Sequence, residues 1–449
     1  MKIIKDQQNI SADKLTDSIL NKFGIAALNP MQEEACETIK SNLDMILLSP
    51  TGTGKTLAFL LPLIDTLDLN CEEIQILILV PSRELAQQIE QVCRQMGSGF
   101  KVNAVYGGRA PSLDKIDLKH RPAILIGTPG RIADRMRRDN FPLERIQTLI
   151  LDEYDKSLEV GFEKEMTEII EKLPYVQQKI LTSATSYAKI PEFVGLQEPV
   201  IINYLHEASS QLTIKMLLSD DKDKLKSLEK ALAFIGPQLG IIFCNHKDAL
   251  ERIHQSLSDS NIKHECFHGG MEQVDRERAL IKFRNGTSQL LLATDLAARG
   301  LDIPEIKFIL HYHLPLHNKE FTHRNGRTAR VNDNGIAYIL QWKDAEIPDF
   351  IVKIDPEKLN IEDQPQSTLS SSVEWKTLYI SGGRRDKISK GDIAGLFIKQ
   401  GEIQKDQLGL IEIKGNCSYA GVYADIAEKL IEKTNNSRLK KKKVRITLI

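Results

Sequence analysis

The stretch Asp44-Met45-Ile46-Leu47-Leu48-Ser49-Pro50-Thr51-Gly52-Thr53-Gly54-Lys55-Thr56-Leu57-Ala58-Phe59-Leu60-Leu61 decides the fold of this 449-residue chain. Its apolar start is typical of a buried strand, and its apolar end continues with helical periodicity. The glycines between them let backbone N–H groups turn towards an anion at a helix N-terminus. In such a loop Lys55 reaches the β- and γ-phosphates and Thr56 holds Mg²⁺. Ser49 replaces the first glycine of the strict pattern, and a plain turn remains the alternative.

Length and composition indicate a globular protein of two to four domains. The chain is 41% hydrophobic and 27% charged, which are ordinary values for a globular protein. No apolar run approaches the ~18 residues of a membrane helix, and residues 1–7 contain no apolar signal core. We therefore expect a cytoplasmic protein without membrane contact. The oligomeric state stays open, and we favour a monomer.

The six cysteines lie far apart, and none forms a C-x-x-C pair. Their spacing therefore indicates neither a zinc site nor a disulfide framework, and free thiols are expected. The net charge of −1 conceals an asymmetry. Residues 373–449 carry 16 basic and 9 acidic side chains, whereas the preceding residues carry 44 and 52. This distribution favours an anionic partner for the C-terminal part.

Short runs of Ile, Leu and Val alternate with helical segments in two successive series. Continuous apolar runs are typical of parallel strands covered on both faces, so the pattern predicts an α/β fold. The first series has strand candidates at 44–48, 74–80, 102–105, 123–126, 148–151, 178–182 and 200–203. The second has them at 240–244, 264–267, 289–294, 306–311 and 336–341. We predict α/β domains at 1–205 and 206–355, a linker at 356–372, and a small βαββαβ module at 373–449.

Acidic residues follow the strand candidate 148–151, in the order Asp152-Glu153-Tyr154-Asp155. Acids at the carboxyl end of a strand, on the sheet that carries the phosphate loop, lie beside bound nucleotide. Asp152 suits a magnesium ligand, and Glu153 suits the base that orients attacking water. The alternative is a charged helix cap.

Further motifs occur in a fixed order, and together with the first two they resemble those of the DEAD-box RNA helicases over residues 10–345. They are Phe23-Gly24 with Gln32, 81–86 (PSRELA), Gly107-Gly108, 128–131 (TPGR), 183–185 (SAT), 273–276 (QVDR), 293–302 (ATDLAARGLD) and 323–330 (HRNGRTAR). A single tripeptide carries little information, but the whole ordered set is specific. The resemblance implies two RecA-like domains, ATP and Mg²⁺ as cofactors, and an RNA-dependent ATPase.

The resemblance also implies roles for individual residues. ATP would be bound by Gln32, Thr51, Gly52, Thr53, Gly54, Lys55, Thr56, Asp302, Arg327 and Arg330. Catalysis would use Lys55, Asp152 and Glu153, with His323, Arg327 and Arg330 arriving from the second domain on closure. RNA phosphates would be gripped by Arg83, Gly108, Thr128, Gly130, Arg131, Arg276 and Thr294. Taken alone, 323–330 would rather indicate a basic helix surface.

A few positions depart from the family pattern. Ile25 stands where an aromatic residue usually stacks on adenine, so adenine specificity would rest mainly on Gln32. The other departures are Tyr154 for Ala, Asn325 for Ile, Ala329 for Gly and Ser82 for Thr. None of them removes a catalytic group.

The C-terminal module resembles a DbpA-type RNA-binding domain, which is RRM-like and α+β. The resemblance rests on 378–388 (LYISGGRRDKI), Asp392-Ile393 and 417–422 (CSYAGV). Arg384, Arg385 and Lys387 are placed for phosphate contact after a glycine turn. Tyr419 would stack on a base, or it is a half-buried strand tyrosine. The basic run 438–445 contacts RNA or is a solvated end.

We expect from these motifs an ATP-dependent enzyme that remodels RNA duplexes. The tail would tether it to a structured RNA, and the resemblance implies large-subunit ribosomal RNA, pre-ribosomal particles and ribosome assembly. One alternative is an ATP-gated RNA clamp that does not unwind, against which the intact Glu153, Arg327 and Arg330 argue. A translocating DNA helicase is the other.

Overall fold

The computed structural model describes residues 12–108, 114, 118–138, 143–185, 190–205, 212–295, 306–328, 335–365 and 374–449. The described residues form two compact units, one within residues 12–205 and the other within residues 212–449. We describe each unit by itself. Among the described helices, none has the length and apolar character needed to cross a membrane.

The first unit contains the first domain, a parallel sheet of seven strands in the order β3-β4-β2-β5-β6-β1-β7. The strands are β1 Met45–Leu48, β2 Ile76–Leu79, β3 Val102–Val105, β4 Ile124–Gly127, β5 Thr148–Leu151, β6 Gln178–Ser183 and β7 Val200–Asn203. The described helices are α1 Ala12–Phe23, α2 Pro30–Lys40, α3 Lys55–Ile64, α4 Arg83–Met96, α5 Pro129–Arg138, α6 Tyr154–Glu159 and α7 Glu163–Glu171. Helices cover both faces, so β1 to β5 are buried along their whole length.

The second unit begins with the second domain, another parallel sheet of seven strands in the order β10-β11-β9-β12-β13-β8-β14. Its strands are β8 Leu212–Ser219, β9 Gly240–Cys244, β10 His264–Phe267, β11 Leu290–Thr294, β12 Phe308–His311, β13 Gly335–Trp342 and β14 Glu357–Asn360. Its described helices are α8 Leu225–Ile235, α9 Lys247–Asp259, α10 Gln273–Arg284, α11 Asn318–Asn325 and α12 Asp349–Ile354. Counted within each domain, both sheets have the same strand order, 3-4-2-5-6-1-7.

The third domain completes the second unit with an antiparallel sheet in the order β16-β17-β15-β20. The strands are β15 Trp375–Ile380, β16 Leu408–Ile413, β17 Ser418–Tyr423 and β20 Ile446–Leu448, with a small hairpin of β18 Arg438–Leu439 and β19 Lys442–Lys443. Helices α13 Lys390–Lys399 and α14 Ala427–Thr434 cover one face, and Leu378, Ile380, Phe397 and Val422 form the core there. The predicted RRM-like βαββαβ order is confirmed.

The predicted fold class, two tandem RecA-like parallel-sheet domains and a small α+β domain, is also confirmed. Two strands of the second domain were not predicted. β8 interrupts its apolar residues with Thr213 and Lys215, and β14 has only one apolar residue, at an edge. Ile361 after β14 is fully buried, so the second domain extends past the predicted boundary at 355 into the predicted linker.

Candidate functional site

The phosphate loop between β1 and α3 is closed by its own side chains. The Ser49 hydroxyl donates to Thr53 Oγ1 at 2.8 Å, and Thr53 Oγ1 donates to the Pro50 carbonyl at 2.9 Å. Lys55 Nζ donates to the carbonyls of Ser49 and Pro50, at 2.5 and 2.8 Å. Ser49 is 1% exposed. The serine in place of glycine therefore contributes a hydrogen bond that holds the loop.

Gln32, the predicted adenine-binding residue, lies against this loop. Its Nε2 donates to the Gly54 carbonyl at 3.3 Å, and Asn29 Nδ2 donates to the Thr53 carbonyl at 3.0 Å. Asn29 and Gln32 also form a reciprocal capping box at the start of α2. Gly54 has φ +89°, and a Cβ there would collide with the Gln32 amide. The first turn of α2 and the phosphate loop are thus joined by hydrogen bonds.

The remaining loop residues occupy the positions that the motif predicts. Gly52 has φ +88°, which favours glycine, and it is exposed at the tip. Thr51 and Thr56 are partly exposed, and Lys55 begins α3 immediately after Gly54. Backbone N–H groups at the start of α3 are therefore available to an anion.

The acidic residues follow β5, which pairs with β6 in the same sheet. Asp152 is 3% exposed, and its Oδ1 accepts hydrogen bonds from the Thr182 hydroxyl and, at 3.1 Å, from the Glu153 N–H. Burial raises the pKa of Asp152, against the Thr182 hydrogen bond and the charge of Lys55. A nearby cation would favour the ionised carboxylate. Carboxylate and threonine hydroxyl oxygens are donors that Mg²⁺ prefers, so Asp152 and Thr56 fit this ion.

The Ser183-Ala184-Thr185 segment at the end of β6 is bonded to Asp155, the last residue of the acidic stretch. Thr185 Oγ1 donates to Asp155 Oδ2 at 3.1 Å, and the Thr185 N–H donates to Ser183 Oγ at 3.0 Å. Glu153 has φ +48°, an uncommon conformation for a residue other than glycine. Two neighbouring strand ends are therefore held together around Glu153.

The predicted RNA contacts of the first domain follow the carboxyl ends of β2, β3 and β4. They are Arg83, Gly108, Thr128, Gly130 and Arg131. The Arg83 guanidinium lies against Gly108, which has φ +81° and where a Cβ would collide with it. Arg131 donates from Nε to Asp114 Oδ2 at 2.8 Å, and Asp114 is fully buried. A buried acid thus fixes the direction of Arg131.

Four of the predicted residues of the second domain lie in its described part. Arg276 stands in the first turn of α10, 4.9 Å above the Phe267 ring, and Thr294 ends β11. His323 lies in α11, and Arg327, 6% exposed, follows that helix. Asp302 and Arg330 lie outside the described residues.

Arg324 is a residue that sequence reasoning missed. It is 2% exposed, and its Nε and Nη2 donate to the two carboxylate oxygens of Asp295, each at 2.6 Å. Nη1 donates to the His313 carbonyl at 2.6 Å, and Nη2 donates to Asn245 Oδ1 at 2.7 Å. Arg324 therefore joins the ends of β9, β11 and β12. Its position inside a basic motif was the available signal, but the motif does not show which arginine points inward.

Asn325, a departure from the family pattern, has a partner in the core. His311 Nε2 donates to Asn325 Oδ1 at 2.9 Å, and both residues are buried. Burial and the charge of Arg324 lower the pKa of His311 to about 3, so the imidazole is neutral. The usual isoleucine would leave this N–H without its acceptor.

The third domain packs on the second through the open face of its sheet. Arg284 Nη1 lies 2.9 Å from Glu412 Oε1, and Thr377 Oγ1 bonds Asn285 Nδ2 at 3.1 Å and Thr287 Oγ1 at 2.8 Å. Tyr419 is only 3% exposed. In this arrangement Tyr419 is a buried strand residue, and stacking on a base would require the interface to open.

A basic loop of the third domain faces solvent. Arg384, Arg385 and Lys387 are all exposed. A Cβ on Gly383 would collide with the Lys414 carbonyl, so this glycine lets the loop pack close to the β16–β17 turn. In the basic run, Lys440 and Lys442 pair with Asp392 and Asp386 at 2.9 and 2.8 Å. Lys440 and Lys442 therefore stabilise the domain through ion pairs, whereas the side chains at 384, 385 and 387 are exposed to solvent.

The loop, the buried acidic residues and the two matching parallel sheets define the class, a nucleoside-triphosphate hydrolase with two RecA-like domains. Three family models match successive stretches of the chain. The DEAD/DEAH box helicase model matches residues 29–193, and the helicase conserved C-terminal domain model matches residues 223–332. The DbpA RNA binding domain model matches residues 377–448.

Individual proteins show the same relationship. The chain is 29% identical to the ATP-dependent RNA helicase DbpA of Escherichia coli over 439 residues, 96% of each chain. It is 32% identical to the DEAD-box ATP-dependent RNA helicase RhpA of Helicobacter pylori over 335 residues, 73% of this chain and 68% of that protein. The fold is similar to S. cerevisiae Dbp5 bound to RNA and ADP BeF3, with a TM-score of 0.69 at 23% identity, covering 80% and 96% of the two chains. The chain therefore belongs to the DEAD-box ATP-dependent RNA helicases, and the predicted ATPase and helicase activity is confirmed.

Proposed function

We propose that this helicase opens short duplexes in a structured RNA that its third domain holds, and that the RNA is large-subunit ribosomal RNA during ribosome assembly in the cytoplasm. The observation that carries the proposal is the exposed basic loop of Arg384, Arg385 and Lys387, on a domain bonded to the second helicase domain. The family match of this domain to an RNA-binding domain supports the same assignment.

The basic loop suits phosphate recognition. Arginine presents a fork of N–H donors that matches two phosphate oxygens, and lysine adds a point charge. Such contacts fix position without reading bases, so the loop would recognise the shape of an RNA fold. Because the third domain is bonded to the second, bound RNA would stay near the helicase residues and raise the local concentration of the neighbouring duplex.

Hydrolysis follows from the groups of the first domain. The N–H groups at residues 52–55 and the Lys55 ammonium would bind the β- and γ-phosphates. Asp152 and Thr56 would hold Mg²⁺, which neutralises phosphate charge when it is bound. Glu153 would accept the proton of the attacking water. Its left-handed backbone conformation sets the direction in which its side chain leaves the main chain.

The tether is tested by replacing Arg384, Arg385 and Lys387 with alanine in the full-length chain. The matched control replaces Lys399, Lys405 and Lys429, which are exposed lysines elsewhere on the same domain. RNA-stimulated ATP hydrolysis is measured with ribosomal RNA and with a homopolymer. We expect the loop variant to need roughly tenfold or more ribosomal RNA for half-maximal stimulation, because three phosphate contacts are lost.

The homopolymer response and the control variant should match the wild type in that experiment. Equal responses of wild type and loop variant to ribosomal RNA would disprove the tether. Glu153→Gln serves as the hydrolysis-deficient reference in strand displacement. If the wild type separated a short duplex no faster than this variant and no faster than the reaction without protein, the chain would act as an ATP-gated clamp that does not unwind.

A further inference from the structure

We propose that His254, His264 and Cys266 form a zinc site on the second domain. His264 and Cys266 are two residues apart on β10, so their side chains leave the strand on the same face. His254 lies on α9, which packs against that strand. The candidate ligand atoms, one on each residue, all lie within 4.8 Å of one another.

The hydrogen bonds of His264 turn one ring nitrogen towards the cluster. Its Nδ1 lies 2.7 Å from the Ile262 carbonyl, which can only accept, so Nδ1 carries the proton. Nε2 then holds a lone pair, and it lies 2.7 Å from His254 Nδ1. A histidine that donates its other N–H to a backbone carbonyl is the usual arrangement of a metal ligand, because this bond fixes the ring.

The charge around Cys266 favours a cation. It is a free thiol, and the negatively charged carboxylates of Glu251 and Glu265 act on it. When Zn²⁺ binds, the S–H bond of Cys266 would break and an S–Zn bond would form, and the thiol proton would pass to water. Glu251 lies one helical turn before His254, and its negative charge would attract the ion.

Two imidazole nitrogens and one thiolate are a donor set for Zn²⁺ or Co²⁺ and unsuited to Mg²⁺. Three protein ligands leave the fourth tetrahedral position to water. The site is therefore chemically distinct from the oxygen donors of Asp152 and Thr56. The sequence search by C-x-x-C spacing could not find it, because the ligands have the spacing His-x₉-His-x-Cys.

The proposed site would fix an edge strand. β10 pairs with β11 alone in the described sheet, and α9 crosses over it. Phe267, the last residue of β10, lies under the guanidinium of Arg276. A metal between α9 and β10 would hold this end of the sheet in place. Through the Phe267 ring it would also fix the position of Arg276, the predicted RNA contact.

The test uses full-length protein without an affinity tag. Zn²⁺ binding is measured by competition with a coloured chelator, and Co²⁺ binding is measured by absorption spectroscopy. Wild type should bind one equivalent of each and show a thiolate-to-cobalt charge-transfer band. His254→Ala and Cys266→Ser should each weaken Zn²⁺ binding by roughly tenfold or more, because loss of even an outer-shell partner of a metal ligand has an effect of that size. Cys266→Ser should also lose the charge-transfer band.

The controls are Cys71→Ser and His120→Ala, a partly exposed cysteine and an exposed histidine of the first domain. Both should bind like wild type. His254 is exposed on its helix, so its replacement leaves the core intact. Zn²⁺ should also raise the Tm of wild type but not that of His254→Ala. Absence of a one-equivalent site in wild type, or equal affinity in wild type and both cluster variants, would show that the cluster is only a hydrogen-bonded histidine pair beside a thiol.

Discussion

The two helicase domains have the same strand order but use the loop after the first strand in opposite ways. In the first domain β1 leads into residues 49–56, where glycines expose N–H groups to a phosphate. In the second domain β8 ends at Ser219 and leads into Asp220-Asp221-Lys222-Asp223-Lys224, which is acidic and contains no glycine. The Ser219 hydroxyl donates to the Asp221 carbonyl at 2.7 Å, which closes this turn.

The lysines of the two loops show the difference most clearly. Lys55 is the first residue of α3, and its positive charge acts to lower the pKa of the buried Asp152. Lys224 is 9% exposed and points inwards, and its Nζ donates to the carbonyls of Tyr312 and Leu340, at 2.5 and 2.7 Å. The parallel sheet therefore supplies only a row of strand ends, and the loop residues decide whether a strand end binds a ligand or completes the core.

The largest effect expected from this comparison is on ATP turnover. Lys55→Ala should lower kcat/KM for ATP by about 10²–10³-fold, because one preorganised charge at the phosphates is removed. Lys222→Ala is the matched control from the equivalent loop, where it lies over the Trp342 ring. Steady-state hydrolysis with saturating RNA measures both. A comparable loss in Lys222→Ala would show that the second loop also binds nucleotide.

The next effect concerns the stability of the second domain. Arg324→Ala should lower the free energy of unfolding by about 3–5 kcal/mol, because a buried ion pair with Asp295 is broken. Arg324→Lys keeps the charge but loses the bidentate geometry, so we expect a smaller loss. Urea unfolding followed by circular dichroism gives both values. Wild-type stability in Arg324→Ala would refute the structural role.

Lys224 should give the second domain a distinctive pH dependence. Burial lowers its pKa to about 8, whereas an unfolded lysine titrates near 10.4. Between these values the unfolded chain binds more protons, so stability rises as the pH increases from about 8 to 10, by roughly 3 kcal/mol. A neutral amine has two N–H groups, which match the two carbonyls. Unfolding at several pH values should show this rise in wild type but not in Lys224→Met, and equal slopes would contradict it.

The smallest effect expected is at the His311–Asn325 pair. Asn325→Ile should lower the free energy of unfolding by about 1–3 kcal/mol, since a buried N–H loses its acceptor. The double variant His311→Leu/Asn325→Ile removes both partners and should recover part of that loss. A double-mutant cycle from urea unfolding measures the coupling. Strictly additive single effects would mean that the hydrogen bond contributes nothing.

The sequence predicted those parts of the fold that depend on local pattern. Buried strands such as β2 and β9 are continuous apolar runs, and the phosphate loop is encoded in eight adjacent residues. β8 and β14 were missed because polar residues interrupt them, so periodicity is weak. The residues assigned from motifs in the first domain lie together at one edge of its sheet, although their individual roles remain predictions.

Features built from distant residues could not be predicted. Arg324 reaches Asp295 and Asn245, 29 and 79 positions away, and no spacing rule connects them. The contact of Thr377 with Asn285 joins two domains. Tyr419 illustrates the same limit, because an alternating strand shows which face it occupies but not whether another domain covers that face.

The Gln32–Gly54 contact limits how nucleotide preference could be redesigned. The capping box and the Gly54 carbonyl fix the amide of Gln32, with Oε1 towards the Asn29 N–H and Nε2 towards the loop. An amide in one orientation suits the donor N6 and acceptor N7 of adenine, whereas guanine presents acceptors at both O6 and N7. An amide has only one donor group, so it cannot pair with both guanine acceptors in either orientation. A chain that hydrolyses GTP would therefore need another residue at position 32, which removes the helix cap and the loop contact together. The predicted base contact and the contacts that hold the phosphate loop therefore depend on the same side chain, so a change of base preference at this position would require a redesigned loop as well.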